Sequence, residues 1–317
     1  MLVVEPDGVL RDQRFADLPE LLRKGDLLVA NDTRVRHARL HGRTADGRSI
    51  ELLVVERREE GSYMCLARPA KHVTPGTCVR MDGTLEAHVV AAAEDHAGGR
   101  IVRFHGDDVE AAIERIGSAP LPPYIHRRLA DPERYQTLYA RGDPSSAAAP
   151  TAGLHVTDAV RQRLRDRSVG WATVQLQVGL ATFAPIRAHR VDEHRMHEEA
   201  FSLSEETAAR ITRTRRAGGR VIAVGTTVTR VLESCVDANG EVSPRSGRTS
   251  LFIRPEHEFR AVDALFTNFH QPRSSLLVLL AAFIGMDTWR AAYEHALGSG
   301  YRFLSFGDCM LCWRPGS

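Results

Sequence analysis

Two regimes of hydrophobic and polar patterning divide the chain. Between residues 36 and 106 turn signals recur at Asp46-Gly47, Glu60-Gly61, Pro75-Gly76, Asp82-Gly83 and Gly98-Gly99. Short runs rich in β-formers lie between them, at 49–56, 62–68, 84–90 and 100–105, with no helical period. Closely spaced short strands of this kind predict a small antiparallel barrel or sandwich. From Val109 onward the pattern changes, and strands alternate with helices. Helices are expected over 108–116, from a Thr157 cap to about residue 167, from a Ser204 cap to the Gly218-Gly219 stop, from Gly225-Thr226-Thr227 through Glu233, over 275–284, and from an Asp287 cap to Gly298. Strands are expected at 171–178, 220–224, 262–268 and 301–313, the last bent at Gly307. The predicted fold is α/β: a main α/β domain of residues 1–35 and 107–317, interrupted by an inserted antiparallel β-barrel of residues 36–106.

Composition narrows the class without naming the chemistry. The 317 residues are 43% hydrophobic and 26% charged, as in globular proteins rather than disordered chains. Lysine plus arginine (42) against aspartate plus glutamate (40) leaves +2, so no global charge excess announces a polyanion. Lys24 and Lys71 are the only lysines; arginine carries the rest. Five scattered cysteines argue against a disulfide framework and for a reducing compartment. No signal-peptide pattern opens the sequence, and the longest apolar run, 276–286, is shorter than the ~20 residues of a membrane span. These features predict a cytoplasmic protein that does not enter a membrane.

Five stretches carry candidate chemistry. The run from Val221 to Arg230 reads strand, tight turn, helix, which places backbone N–H donors of Gly225, Thr226 and Thr227 at the carboxyl end of a strand. Ala149-Pro-Thr151-Ala-Gly153-Leu-His155 is a constrained turn that delivers one histidine ahead of a helix, suited to base chemistry or to bonding the loop backbone. His189, His194 and His197, followed by Glu198 and Glu199, form the densest group of potential metal ligands, yet no His-Glu-x-x-His helix appears. Acid–base or hydrogen-bonding work is the better reading there, and no metal is expected. Cys309 and Cys312 stand three apart on a predicted strand, on opposite faces, and read as packing thiols. Thr267-Asn268-Phe-His270-Gln-Pro-Arg273 sets an amide, an imidazole and a guanidinium on a loop at a strand's end, where arginine can pair a carboxylate or phosphate.

Taken in order, these blocks resemble one family. Leu121-Pro-Pro-Tyr-Ile125, Arg134-Tyr-Gln-Thr137, the 149–155 turn, Val178-Gly179 with Thr182-Phe183, Met196-His197, Val224-Gly-Thr-Thr227, Thr267-Asn-Phe-His270, and Tyr301-Arg-Phe303 with Gly307-Asp308 occur in the order seen in the S-adenosylmethionine:tRNA ribosyltransferase-isomerases of queuosine biosynthesis. Gly25-Asp-Leu-Leu28 and Asn31-Asp-Thr-Arg-Val35 extend the resemblance, which runs from about residue 2 to 313. It implies an α/β domain interrupted by a β-barrel. It also implies transfer and isomerisation of the ribosyl part of S-adenosylmethionine onto 7-aminomethyl-7-deazaguanine at the tRNA wobble position. The product would be epoxyqueuosine, with release of adenine and methionine. S-adenosylmethionine would be a co-substrate and no other cofactor would be required.

That chemistry needs a base at the 5′-carbon, which the sulfonium acidifies, an acid for departing adenine, and a clamp for the methionine carboxylate. The resemblance points to His155 or His197 as the base, with Glu199 as its orienter or as the acceptor amine's partner. Thr151, Gly153, Gln177, Gly179, Thr182, Phe183 and Tyr301 fall within the substrate-binding blocks. Asn268, His270 and Arg273 would hold polar ends of the substrate, Gly225, Thr226 and Thr227 would supply backbone donors, and Asp308 would bind ribose hydroxyls or the amine. The partner would be a tRNA anticodon arm, met by Arg127, Arg128, Arg134 and Arg141, and the enzyme a monomer. Some positions depart from the family pattern. Gln177 stands where relatives carry histidine, Glu198 adds a charge, Ala181 replaces a common glycine, Ser145-Ser146-Ala147 replaces the usual Gly-Ser/Ala-Val, and the start is short by a couple of dozen residues. These changes leave open a paralogue acting on a non-tRNA acceptor, or a weakened S-adenosylmethionine- or RNA-binding protein. His155, His197, Glu199, Asn268, His270 and Arg273 are expected to converge on one pocket bordered by Gln177.

Overall fold

The computed structural model describes residues 1–58, 61–82, 85–93, 98–125, 129–179, 185–186, 188 and 190–316. Thr182 and Phe183, together with Ala181, His189, Arg127 and Arg128, lie outside the described residues. The chain divides into two compact units, the first Met1–Arg34, Gln136–Gly142 and Ala149–Ser317, the second Val35–Tyr135 and Asp143–Ala148.

The second unit is built on a closed antiparallel barrel. Its strands, in order around the wall, are Gly99–His105, Ser62–Arg68, Ser49–Arg57, Arg39–Thr44, Cys78–Met81 and Glu86–Ala92, the last pairing back to the first. Closure follows from a period-2 apolar pattern that aims Ile50, Leu52 and Val54, Cys65 and Ala67, Val79 and Met81, Ala87 and Val89, and Val102 and Phe104 inward, all buried. Arg39–Thr44 and Cys78–Met81 are additional to the four strands that the turn spacing predicts. Helix Val109–Ile116 packs on this unit: Asp108 caps it, Tyr63 Oη donates to Glu110 at 2.7 Å and the His37 N–H donates to Glu114 at 3.1 Å.

In the first unit, nine strands among the described residues form one mixed sheet. Its order is Arg245–Thr249, Glu199–Leu203, Gly170–Leu176, Leu27–Asn31, Val221–Val224, Ala264–Asn268, Cys309–Trp313, Leu2–Val4 and Leu10–Asp12. The four central strands, from Gly170–Leu176 to Ala264–Asn268, run parallel. Three of them, Leu27–Asn31, Val221–Val224 and Ala264–Asn268, are buried at every residue, as strands covered on both faces are, while Gly170–Leu176 is buried only at alternate residues. Helices Asp158–Asp166 and Glu205–Arg216 begin at the Thr157 and Ser204 side-chain caps, as the sequence predicts, and Ser275–Ile284 begins at a Ser274 cap.

Two elements here differ from expectation. The last strand begins at Cys309, not Tyr301, because residues 302–308 close on themselves: the Asp308 carboxylate accepts from the Arg302 N–H at 2.8 Å and pairs with its guanidinium. Cys309 and Cys312 are both buried, in a strand buried at every residue, which agrees with their reading as packing thiols. Helix Met286–Gly298 starts from Gly285, at φ +83, rather than from an Asp287 cap, and bends 115° away from Ser275–Ile284. Among the described residues no single helix is long and apolar enough to cross a membrane.

Candidate active site

The carboxyl ends of the parallel strands open onto a pocket, the place where α/β sheets collect ligands. Its lining is Ala149, Pro150, Thr151 and Ala152 from the histidine-bearing turn, Val178 beyond one strand, Gly225, Thr226 and Thr227 beyond another, Thr267 and Asn268 at the end of a third with His270 just past it, and Leu276. Buried Asn31 ties two strand ends together: its side chain accepts from the Leu176 N–H at 3.1 Å and donates to the Leu176 carbonyl at 3.0 Å, extending the sheet's bonding to the residue before Gln177.

A hydrogen-bonded chain runs along one wall. Thr151 Oγ1 donates to Asn268 Oδ1 at 2.9 Å, and Asn268 Nδ2 lies 2.9 Å from His155 Nε2 and 3.5 Å from the Leu304 carbonyl. A carbonyl only accepts, so Leu304 fixes the amide with its nitrogen toward His155, and Nε2 of the ring is the acceptor. The imidazole packs against Phe15 and Phe266, ring centroids 5.7 and 5.9 Å away. Burial pushes its pKa down from 6.5 to about 4, against the opposing charge of Asp308. His155 is therefore neutral near pH 7, with a lone pair on Nε2, which is the form a base requires. His270 is likewise held neutral: burial lowers it to about 4, its Nε2 is 2.9 Å from Thr267 Oγ1, and its backbone N–H donates to Tyr293 Oη at 2.9 Å.

Of the six residues expected to converge, Asn268 and His270 line the pocket and His155 is bonded to Asn268; Thr151, Gly225, Thr226 and Thr227 from the substrate-binding blocks line it too. Gly153 sits in the turn beneath His155. Glu199 is buried one step behind the lining, where Oε1 accepts from the Gly179 N–H at 3.0 Å and Oε2 pairs with Arg230. Gln177 is exposed beside Val178, its N–H bonded to the Ala200 carbonyl at 2.9 Å, and His197 is exposed. Arg273 is exposed at φ +56, with its carbonyl accepting from the Ile186 N–H. Tyr301 Oη donates to Asp12 at 2.5 Å, and Asp308, partly buried, is held below its ordinary pKa by Arg302 in spite of that burial. The motifs did not single out Arg230. The signal was a lone arginine on the apolar helix Thr226–Cys235, opposite a lone glutamate in strand Glu199–Leu203.

Among the described residues one group has metal-ligand spacing. Cys78, Glu86 and His88 on the barrel have donor atoms within 4.8 Å of one another. Glu86 there also pairs with Arg80 at 3.3 Å.

Gly153 gives a direct test of how the turn is held. A Cβ there would stand 1.9 Å from Tyr139 Oη and 2.8 Å from Thr137 Cγ2. Tyr139 is backed edge-on by Trp171 at 5.0 Å and has little room to withdraw. Gly153→Ala is expected to destabilise the fold by about 1–3 kcal/mol and to displace His155. A thermal melt paired with a turnover assay checks this, and an unchanged melting temperature with parent activity would contradict it.

Comparison with known proteins gives a consistent picture. The profile of a family described as "Queuosine biosynthesis protein" matches residues 1–312. A protein of Gloeobacter violaceus named S-adenosylmethionine:tRNA ribosyltransferase-isomerase is 48% identical over 313 residues, spanning 98% of this chain and 88% of its own length. One of the same name from Anaeromyxobacter dehalogenans is 49% identical over 319 residues, spanning 99% and 92%. The crystal structure of an S-adenosylmethionine tRNA ribosyltransferase from Thermotoga maritima is similar at 36% identity and a TM-score of 0.54, covering 98% of this chain and 91% of that one.

Proposed function

Because the chain belongs to the queuosine biosynthesis family of S-adenosylmethionine:tRNA ribosyltransferase-isomerases, we propose that the pocket at the ends of the parallel strands is where its S-adenosylmethionine reacts. The chain is a transferase-isomerase whose substrates are S-adenosylmethionine and tRNA. A non-tRNA acceptor is disfavoured, since relatives 44–49% identical along nearly the whole chain carry the tRNA enzyme's name. The observation that carries the site assignment is the neutral His155 ring, held by Asn268 at the pocket wall.

His155 acts as the base. In the resting arrangement its Nε2 lone pair accepts from Asn268, and it exchanges that hydrogen bond for the 5′-proton of the bound sulfonium. Asn268 sets the ring's orientation and tautomer, with Thr151 setting the amide in turn. Neutral rings suit a cationic substrate: neither histidine adds a positive charge that would repel the sulfonium. Glu199, occupied by Arg230 and the Gly179 N–H, works as a positioning residue for the strap around Val178. Asp308, next to His155 in the field that shifts it, is the candidate partner for ribose or the acceptor amine. The acceptor is 7-aminomethyl-7-deazaguanine in a tRNA anticodon arm. The enzyme works as a cytoplasmic monomer without further cofactor.

Incubation with labelled S-adenosylmethionine and a tRNA carrying the deazaguanine amine tests this reading. Ribosyl label in the tRNA with stoichiometric free adenine supports it; absence of both overturns it. On the RNA side Arg134 is exposed, whereas Arg141 is drawn to Asp32, Nε to Oδ2 2.5 Å. Phosphate contacts of a few arginines should make tRNA affinity fall steeply with salt, roughly a decade or more between low and moderate ionic strength. Affinity flat across that range would count against anticodon-arm binding.

A further inference from the structure

Helix Thr226–Cys235 opens without a side-chain cap, from Gly225 at φ +99. The Gly225 carbonyl receives its first helical bond from Thr229, and no described residue accepts from the N–H groups of Thr226 or Thr227. Uncapped N–H groups on an aligned row of peptide dipoles favour an anion. A second observation points the same way. Thr227 is 8% exposed, its Oγ1 is buried without a partner, and it lines the pocket. That oxygen stands 3.7 Å from where a Cβ on Gly225 would sit, and the Ala152 methyl is 3.6 Å from the same point. The hydroxyl thus faces the helix mouth across a gap that glycine leaves open. A buried hydroxyl without a partner is costly, so the arrangement suits a ligand acceptor that returns the bond. Among the described residues the lining holds no lysine or arginine, and the helix end supplies a positive field.

We propose that this helix start is a carboxylate seat: it takes the α-carboxylate of the methionyl end of S-adenosylmethionine, through the Thr226 and Thr227 N–H groups and the Thr227 hydroxyl. The inference rests on the reading of the pocket given above. The carboxylate is the one anionic group of this substrate. A ribose hydroxyl brings its own donor and gains little from a helix dipole. A tRNA phosphodiester is flanked by nucleosides on both sides, whereas a terminal carboxylate can enter end-on to reach a buried hydroxyl. Seating the carboxylate here brings the sulfonium toward the wall that carries Asn268 and His155, all parts of one pocket edge.

The test compares equilibrium binding of S-adenosylmethionine and of its decarboxylated analogue, which keeps the sulfonium and lacks the anion. The parent protein should prefer S-adenosylmethionine, and Thr227→Val should lose affinity for it by roughly tenfold or more while binding the analogue as before. Thr227→Ser, which restores the hydroxyl, should recover the preference. The seat is wrong if the parent protein does not discriminate between the two ligands, if Thr227→Val weakens both equally, or if it weakens tRNA binding instead. Ribosyl transfer read on the same proteins keeps the two ideas apart. Transfer without discrimination removes the seat alone, and discrimination without transfer removes the reaction assigned to the pocket.

Discussion

Replacing His155 with glutamine is expected to slow adenine release by about 10²–10⁴-fold while S-adenosylmethionine still binds, the loss typical of a positioned general base. Glutamine fills similar space and can still bond Asn268, but it cannot take a proton. His197→Gln, at an exposed position, serves as the comparison, and a loss there equal to that of His155→Gln would move the base to the other histidine. The pH profile gives an independent reading. With the His155 pKa pushed down to about 4 by burial, the base stays unprotonated through the range where an ordinary histidine would titrate. An acid limb of turnover near pH 6.5 would contradict the assignment. Stability does not share that plateau. The unfolded chain takes protons on His155 and His270 near pH 6.5, while the folded chain resists until about 4, so stability is full above 6.5 and declines as pH falls toward 4. Denaturant titrations at pH 7 and pH 5 should show that decline.

The second large effect lies behind the pocket. Glu199 and Arg230 are 6% and 5% exposed, and the guanidinium also donates to the Leu251 carbonyl at 2.9 Å and the Thr249 carbonyl at 3.2 Å. Removing one partner of such a pair strands the other charge away from water. Arg230→Met should therefore cost about 3–5 kcal/mol of stability. It should also loosen the Gly179 N–H that Glu199 holds, lowering turnover in whatever folded protein remains. The double variant Glu199→Gln with Arg230→Met should be less destabilised than Arg230→Met alone, because no lone carboxylate is left buried. Chemical denaturation of the three proteins checks this; a double variant at least as unstable as Arg230→Met would show that the bonds to the Thr249 and Leu251 carbonyls, not the charge pair, set the cost.

Local physics made much of this fold readable. The barrel was legible because turn dipeptides punctuate short β-rich runs, and the helix starts at Thr157 and Ser204 because short polar caps precede each helical run. Strands Arg39–Thr44 and Cys78–Met81 were hidden: the first is mostly polar and contains a glycine, the second is only four residues long, and pairing to neighbours, not composition, makes each a strand. The extended reading of 301–308 failed because Asp308 satisfies the Arg302 backbone locally, a competition between side chain and sheet that residue types alone do not decide.

The candidate site divides similarly. Turn 149–155, the Gly225 turn and the Asn268–His270 loop were visible as constrained segments at element ends. Which histidine faces inward was not, since His155 and His197 differ in exposure only after tertiary packing. Nor was the Glu199–Arg230 pair, whose members lie 31 positions apart and meet through the sheet and its helix.

The central claim is that one pocket, walled by His155–Asn268–Thr151 and closed by the start of helix Thr226–Cys235, holds the reacting S-adenosylmethionine. A crystal structure of the protein with S-adenosylmethionine bound tests it most directly. The account predicts the methionyl carboxylate at the Thr226 and Thr227 N–H groups and the 5′-carbon about 3–3.5 Å from His155 Nε2, the separation of a near-attack arrangement. A ligand seated elsewhere, or one whose 5′-carbon faces away from His155, would contradict it.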